Sequence, residues 1–380
     1  MNKIKVMTVF GTRPEAIKMA PLVYELEKRD EIQSLVCVTA QHRQMLDQVL
    51  NMFKITPDFD LDIMKERQTL VGITTRAIEG LDRVMSAEKP DIVLVHGDTS
   101  TTFAGSLAAF YNHAMIGHVE AGLRTYDKWS PYPEEMNRRL TGALADLHFS
   151  PTKKNKNNLL AEGVSEDKIF ITGNTVIDAL KTTVSDSYKF DSRLAQIFDG
   201  SSRVILMTAH RRENLGEPLK NIANAVLRIV NEFEDIKLVY PVHLNPAVRE
   251  VANSILGNHD RIYLIDPLEV GDMHNAMAKA HLILTDSGGL QEEAPSLGKP
   301  VLVLRKETER PEAIDAGTVR LAGIEEENIY NMTKQLLSDD AEYEKMSKAV
   351  NPYGDGLASK RIVDAILYNF GLGERPADLV

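Results

Sequence analysis

"IKVMTVFGTRPEAIKMAPLVYELEK", residues 4–28, carries the pattern from which the rest of the chain can be read. Seven residues, mostly apolar, lead to Gly11 and Thr12, and apolar residues then return at helical spacing. An apolar run without alternation is what a strand buried on both faces requires, and such strands belong to parallel sheets. Pro14 falls where a helix begins, a position at which its missing N–H costs nothing. The same unit recurs: "DIVLVHGD" precedes "TSTTFAGSLAAFY", "KIFITGN" precedes "TVIDALKTT", "RVILMTAH" precedes "RRENLGEPLKNIANAVLRIV", and "AHLILTD" precedes "SGGLQEEAPSLG". Buried strands alternating with amphipathic helices define a doubly wound α/β chain.

At 380 residues the chain exceeds one ordinary core, so two domains are expected. The polar stretch 171–194, poor in strand-like runs, is the natural junction, giving domains at 1–172 and 173–362 with a final helix-bearing segment at 363–380. In such sheets ligands bind beyond the carboxyl ends of the strands, so the loops there hold the site, and a cleft between two such domains is the expected place for it.

A composition of 43% hydrophobic and 26% charged residues is that of an ordinary globular protein. The net charge of −11 disfavours nucleic acid and anionic membrane as partners. A lone cysteine, Cys37, sits in the apolar run "SLVCVTA", and one cysteine allows neither an internal disulfide nor a Cys-rich zinc site. The start "MNKIKVMTVFG" enters a strand-like run with no signal-peptide pattern, and no apolar run approaches the ~18–20 residues of a membrane span. A cytoplasmic location is the expectation.

Two strand–turn–helix joints offer anion sites. In "VFGTRPEAIK" (9–18) a helix N-terminus stands behind a glycine turn, with Arg13 and Lys18 to add charge. In "TDSGGLQEEA" (285–294), Ser287, Gly288 and Gly289 open a helix whose bare N–H groups suit a diphosphate, and Glu293 could accept from ribose hydroxyls. Arg310 lies in a later loop, "ETERPEAIDAG". Plain glycine joints with surface charges would read the same way. The one Gly-Lys pair, Gly298–Lys299, is followed by proline, which excludes a P-loop.

The acids lie in "HGD" (96–98), "HVE" (118–120) and "PYPEEMNRR" (131–139), while "TAHRREN" (208–214) puts His210, Arg211 and Arg212 after a strand. A histidine and a carboxylate two residues apart share one face of a strand end, which would suit a metal pair as well as acid–base work. No recognised metal-ligand spacing accompanies them, and histidines that support the strand ends are the simpler reading.

Taken together, "FGTRPEAIKMAPL", "VHGDTSTTFAG", "HVEAGLRT", "PYPEEMNRR", "TAHRREN" and "TDSGGLQEEAPSLGKPVLVLR" resemble the bacterial non-hydrolysing UDP-N-acetylglucosamine 2-epimerase family. The resemblance spans residues 9–310. It implies two Rossmann-like domains of GT-B type, an interdomain active-site cleft, a homodimer, and a C-terminal helix returning to the N-terminal domain. It makes Asp98, Glu120, Glu134 and His210 catalytic, and Arg13, Lys18, Ser287, Gly288, Gly289, Glu293 and Arg310 the binders of a UDP-sugar. Leu268 and Met273 stand where uracil contacts are expected, and they do not carry those contacts over. Through "TAQHRQML" (39–46) it also implies an allosteric site for UDP-GlcNAc built from Gln41, His42, Gln44, Arg67, Arg211 and His243.

The implied reaction is reversible inversion at C2, by elimination of UDP to 2-acetamidoglucal and re-addition, with no cofactor and no metal, supplying UDP-ManNAc for surface polysaccharide. Which carboxylate is base on which face stays open. A GT-B glycosyltransferase would share the fold but need an acceptor, a hydrolysing 2-epimerase would release ManNAc, and a nucleotide-sugar sensor would bind without turnover.

Overall fold

The computed structural model describes residues 3–380. Met1 and Asn2, which open the expected first domain, lie outside the described residues.

Among the described residues thirteen strands form two all-parallel sheets. The first comprises β1 (Ile4–Phe10), β2 (Ile32–Val38), β3 (Phe59–Asp60), β4 (Ile92–His96), β5 (Met115–Val119), β6 (Leu147–Ser150) and β7 (Ile169–Ile171), in the order β3-β2-β1-β4-β5-β6-β7. The second comprises β8 (Arg203–Thr208), β9 (Ile236–Pro241), β10 (Ile262–Ile265), β11 (Leu282–Thr285), β12 (Val301–Val303) and β13 (Val319–Leu321), in the order β10-β9-β8-β11-β12-β13. The helices that matter for the first sheet are α1 (Arg13–Glu27), α2 (Arg43–Met52), α3 (Leu70–Glu88), α4 (Ser100–Tyr111), α5 (Glu134–Leu144), α6 (Lys153–Ala161) and α7 (Thr175–Thr183).

Burial explains why the strands read as unbroken apolar runs. Every residue of β4 is buried, and Met7, Val9, Val93, Val95 and Ile116 share one core with α3 and α4. In the second sheet, Ile205, Met207, Leu238, Leu282, Leu284 and Leu302 are joined in one core by Ile222, Val226 and Ile229.

In each sheet the strand order reverses once, between β1 and β4 in the first and between β8 and β11 in the second. Crossovers leave such a pair on opposite faces, so the loops at its carboxyl ends part and leave room for a ligand. In the first sheet these loops are Gly11–Thr12 and Gly97–Thr99, and in the second Ala209–Arg211 and Asp286–Ser287. The segments around Gly11, Asp98, His210 and Ser287 therefore sit at switch points, while Glu120 follows β5 and Glu134 opens α5.

The chain divides into two compact units, one running up to Ala179 and resuming at Tyr353–Val380, the other Leu180–Pro352. The division falls within α7 and the return lies before the last long helix, beside expected limits of 172/173 and 362/363. Long-range polar contacts within the first unit set both limits. Asn174 N donates to Tyr353 O at 2.7 Å, and the Asp178 carboxylate accepts from Ala358 N and Ser359 N at 3.1 and 2.7 Å. That carboxylate satisfies first-turn N–H groups of the helix at Ala358–Asn369, which packs against α1. The tail then runs beside β7, with Leu379 N donating to Ile171 O and Asp378 accepting from Ile171 N. Among the described residues no helix is long and apolar enough to cross a membrane.

Candidate active site

The β1–α1 joint is fastened by Glu15. Its buried carboxylate accepts from Gly11 N, Thr12 N and Thr12 Oγ1 at 3.1, 2.8 and 2.8 Å, and from Thr99 Oγ1 at 2.6 Å and Thr102 Oγ1 at 3.2 Å. One acid therefore ties together both loops of the switch point. Gly11 is closely packed there, because a Cβ would stand 1.9 Å from Thr39 Oγ1 and 2.7 Å from Thr101 Oγ1 unless the threonines shifted.

Glu120, just past β5, has φ of +62°, a left-handed conformation that costs a side-chain-bearing residue about 1 kcal/mol or more. Its carboxylate is met by the Lys18 ammonium from α1, by His96 Nε2 at 3.3 Å and by Asn174 Nδ2 at 3.4 Å. Burial alone would raise its pKa. The Lys18 charge and His96 outweigh burial and hold the carboxyl well below its ordinary value. Lys18, expected on a UDP-sugar, is placed here against an acid. Asn174 bears no charge and sits in a strand–helix joint, so nothing local in the sequence singled it out.

The histidines of "HGD" and "HVE" take supporting places. His118, fully buried, has Nε2 2.7 Å from Gly97 O, fixing the turn between His96 and Asp98. Burial lowers its pKa to about 3 and that of neighbouring His148 to about 4, so both are neutral near pH 7. Among the described residues no group of three or more His, Cys, Asp or Glu is arranged to hold a metal.

Asp98 follows β4, and its Oδ2 accepts from Arg138 Nε and Nη2 at 3.1 and 2.6 Å. Glu134 is the first residue of α5, where an acid complements the helix dipole. Its neighbour Glu135 is wholly buried. Asp98 and Glu120 thus close adjacent strands, and Glu134 opens the helix that grips Asp98. Arg13 is partly buried in the first turn of α1.

In the second unit Asp286 plays the part of Glu15. Buried before Ser287, it accepts from His210 N and Arg211 N, both at 2.7 Å, and from Asn214 Nδ2 at 3.0 Å. The helix at Gly288–Ser296 opens there. Guanidinium nitrogens of Arg211 and Arg310 each lie 3.9 Å from the point a Cβ on Gly288 would occupy. A helix N-terminus flanked by two guanidiniums is an anion cradle. Arg310 is steadied by an ion pair with buried Glu292, while Glu293 has His274 Nε2 at 3.5 Å. His274, buried, was not among the expected site residues.

Of the six residues expected at a second site, four lie in the first unit and two in the second. Gln41 Oε1 accepts from Thr101 Oγ1 at 3.2 Å, His42 is the N-cap of α2, and Gln44 and Arg67 are exposed. His243 stacks on His210 with centroids 5.2 Å apart, so an expected effector residue touches an expected catalytic one.

Two doubly wound parallel units, one ending in ion-paired acids and the other in a glycine–arginine anion cradle, define a GT-B-like class of nucleotide-sugar protein. The model of the family "UDP-N-acetylglucosamine 2-epimerase" matches residues 24–367. The chain is 65% identical over 378 residues to the UDP-N-acetylglucosamine 2-epimerase of Bacillus subtilis (strain 168), covering 100% of this chain and 99% of that one. A crystal structure from Listeria monocytogenes matches with a TM-score of 0.95 and 58% identity, over 100% of both chains. The UDP-GlcNAc 2-epimerase from Neisseria meningitidis, bound to UDP-GlcNAc, matches with a TM-score of 0.85 and 54% identity, over 96% of this chain and 100% of that one. The chain belongs to the UDP-N-acetylglucosamine 2-epimerase family.

Proposed function

We propose that this protein interconverts UDP-N-acetylglucosamine and UDP-N-acetylmannosamine without hydrolysis. The observation that carries the reading is Glu120, a strained, largely buried acid just past β5 whose carboxyl is held well below its ordinary pKa, in a chain whose second switch point is an anion cradle. The cradle of Ser287, Gly288, Gly289 and Arg310 would hold the diphosphate, with Glu293 on the ribose and Arg13 adding positive charge. Asp98, Glu120, Glu134 and His210 would act at the sugar.

The chemistry follows from C2 having no adjacent carbonyl to acidify it. As a base takes the C2 proton, the C2–H electrons form the C1–C2 double bond and the C1–O bond electrons leave with UDP. The products are 2-acetamidoglucal and UDP. Re-addition of UDP at C1, with a proton delivered to the other face of C2, gives the epimer. A carboxylate on each face and a cationic cradle for the leaving group are what such a route asks of the protein. Water must be kept from the glucal meanwhile. A second UDP-GlcNAc, bound at Gln41, His42, Gln44, Arg67, Arg211 and His243, would favour the competent state, provided it binds that state better than the other.

Proton NMR of UDP-GlcNAc incubated in D2O tests the route. UDP-ManNAc carrying deuterium at C2 is expected. Product retaining its original C2 hydrogen would rule out elimination, and free N-acetylmannosamine as the product would make the enzyme a hydrolysing one.

A further inference from the structure

Helix α5 holds more than Glu134. Its second residue, Glu135, has no exposed surface, and its carboxylate accepts from Thr125 N at 3.0 Å, Tyr126 N at 3.1 Å and Arg138 Nη1 at 3.2 Å. Arg138, one turn on, turns its remaining edge to Asp98, and both of its bonds there fall on Oδ2. Asn137 Nδ2 adds a bond to Asp98 O at 2.9 Å. One guanidinium thus spans two carboxylates, and the same helix grips both the side chain and the main chain of Asp98.

We infer that Arg138, oriented by the buried Glu135, is the positioning residue for Asp98, fixing one carboxylate oxygen so that Oδ1 alone is presented to substrate. The inference rests on the proposed reaction, in which Asp98 acts at the sugar. Three features of the geometry carry it. A guanidinium is a rigid planar fork, and here its directions are set by two acids at once, so the Asp98 carboxylate has little rotational freedom left. The Arg138 side chain is only 12% exposed and that of Glu135 0%, so neither contact is an idle surface pair. The bonds to Thr125 and Tyr126 fasten the loop leading to Glu134 to that carboxylate. Glu134 and the Asp98 clamp are therefore carried by one rigid element, and proton transfer is sensitive to displacements well under an ångström.

A purely structural Arg138 would stabilise the fold and leave the chemistry to others, and the two roles part experimentally. Arg138→Ala is expected to lower kcat about 100-fold while KM stays within about threefold, the signature of an interaction needed in the transition state. Millimolar guanidinium is expected to recover at least about tenfold of the lost kcat in Arg138→Ala and none in Asp98→Asn. Arg139→Ala, which removes the same charge from an exposed position on the same helix, is expected to keep its turnover. If Arg138→Ala folds but keeps near-native kcat, or loses kcat with no recovery by guanidinium, the clamp is wrong. Should Arg138→Ala not fold, Arg138→Lys decides by the same kcat and KM split, and near-native kcat there overturns the clamp. Near-native turnover in Asp98→Asn instead removes Asp98 from the reaction, a failure of the underlying reading. A dead Asp98→Asn beside an active Arg138→Ala leaves that reading standing and removes only the clamp.

Discussion

At the scale of single residues, Glu120 shows how an environment sets the protonation of an acid. Left to burial, its carboxyl would hold its proton. Lys18 and His96 reverse that preference, so Lys18 is as much a part of the acid as the carboxylate itself. Replacing Lys18 with methionine removes the largest opposing charge and leaves burial less resisted. The folded-state pKa of Glu120 should therefore rise, and the acidic limb of the kcat/KM profile should move to higher pH. A profile superimposable on that of the unaltered protein would separate Glu120 from the rate. For the carboxylates themselves, Asp98→Asn, Glu120→Gln and Glu134→Gln should each reduce turnover by roughly 10²–10⁴-fold, with UDP binding measured by calorimetry little changed. An amide that keeps near-native turnover would mark its residue as structural.

At the scale of elements, each switch point is closed by one buried acid that accepts main-chain N–H bonds from a strand–helix loop. Glu15 does this for Gly11 and Thr12, and Asp286 for His210 and Arg211. Neither acid was among the expected site residues, although both lie inside the quoted motifs. The first joint leaves no space. Thr39 and Thr101, whose hydroxyls lie 2.8 Å apart, fill the volume a Cβ on Gly11 would need. Gly11→Ala should therefore destabilise the protein by about 1–3 kcal/mol, read as a lower urea midpoint at unchanged slope. An unmoved midpoint would mean the threonines give way. At the second joint, Arg310→Lys keeps the charge and loses the planar fork. UDP affinity should fall about tenfold, and an unchanged dissociation constant would take Arg310 out of the cradle.

Across the whole molecule, buried histidines make stability depend on pH. His118 and His148 titrate near 3 and 4 in the fold, against 6.5 for an unperturbed imidazole. Below pH 6.5 the unfolded chain takes up protons that the folded chain refuses, so stability is full above that pH and is lost as pH falls towards 4. Each histidine contributes a slope of about 1.4 kcal/mol per pH unit at most. Tm should accordingly drop between pH 7 and pH 5, and His148→Gln should flatten the fall. A Tm that is constant over that range would show that these rings are protonated in the fold. The proposed effector site is tested by the kinetics of the whole protein. Pure UDP-ManNAc should convert slowly or after a lag that a trace of UDP-GlcNAc abolishes, and Gln44→Ala should blunt that rescue. Prompt conversion unaffected by UDP-GlcNAc would leave the protein with a single nucleotide-sugar site.

The sequence alone determined the α/β class and the strand–turn–helix repeat, and it marked the segments of the candidate site, because these depend on neighbours. A strand buried on both faces must be apolar throughout, and a tight strand–helix joint needs its glycine and proline within a few positions. Tertiary structure alone decided who meets whom. Lys18 reaches Glu120 across 102 positions, Arg138 reaches Asp98 across 40, and Asp286 reaches His210 across 76. A parallel sheet places a crossover helix between successive strands, so residues side by side at the strand ends are always far apart in the chain. Periodicity fixes which face a side chain takes and says nothing of its partner on the next strand. For the same reason the polar stretch at 171–194 drew attention to the junction, while its limits were set by Asp178 holding Ser359 across 181 positions.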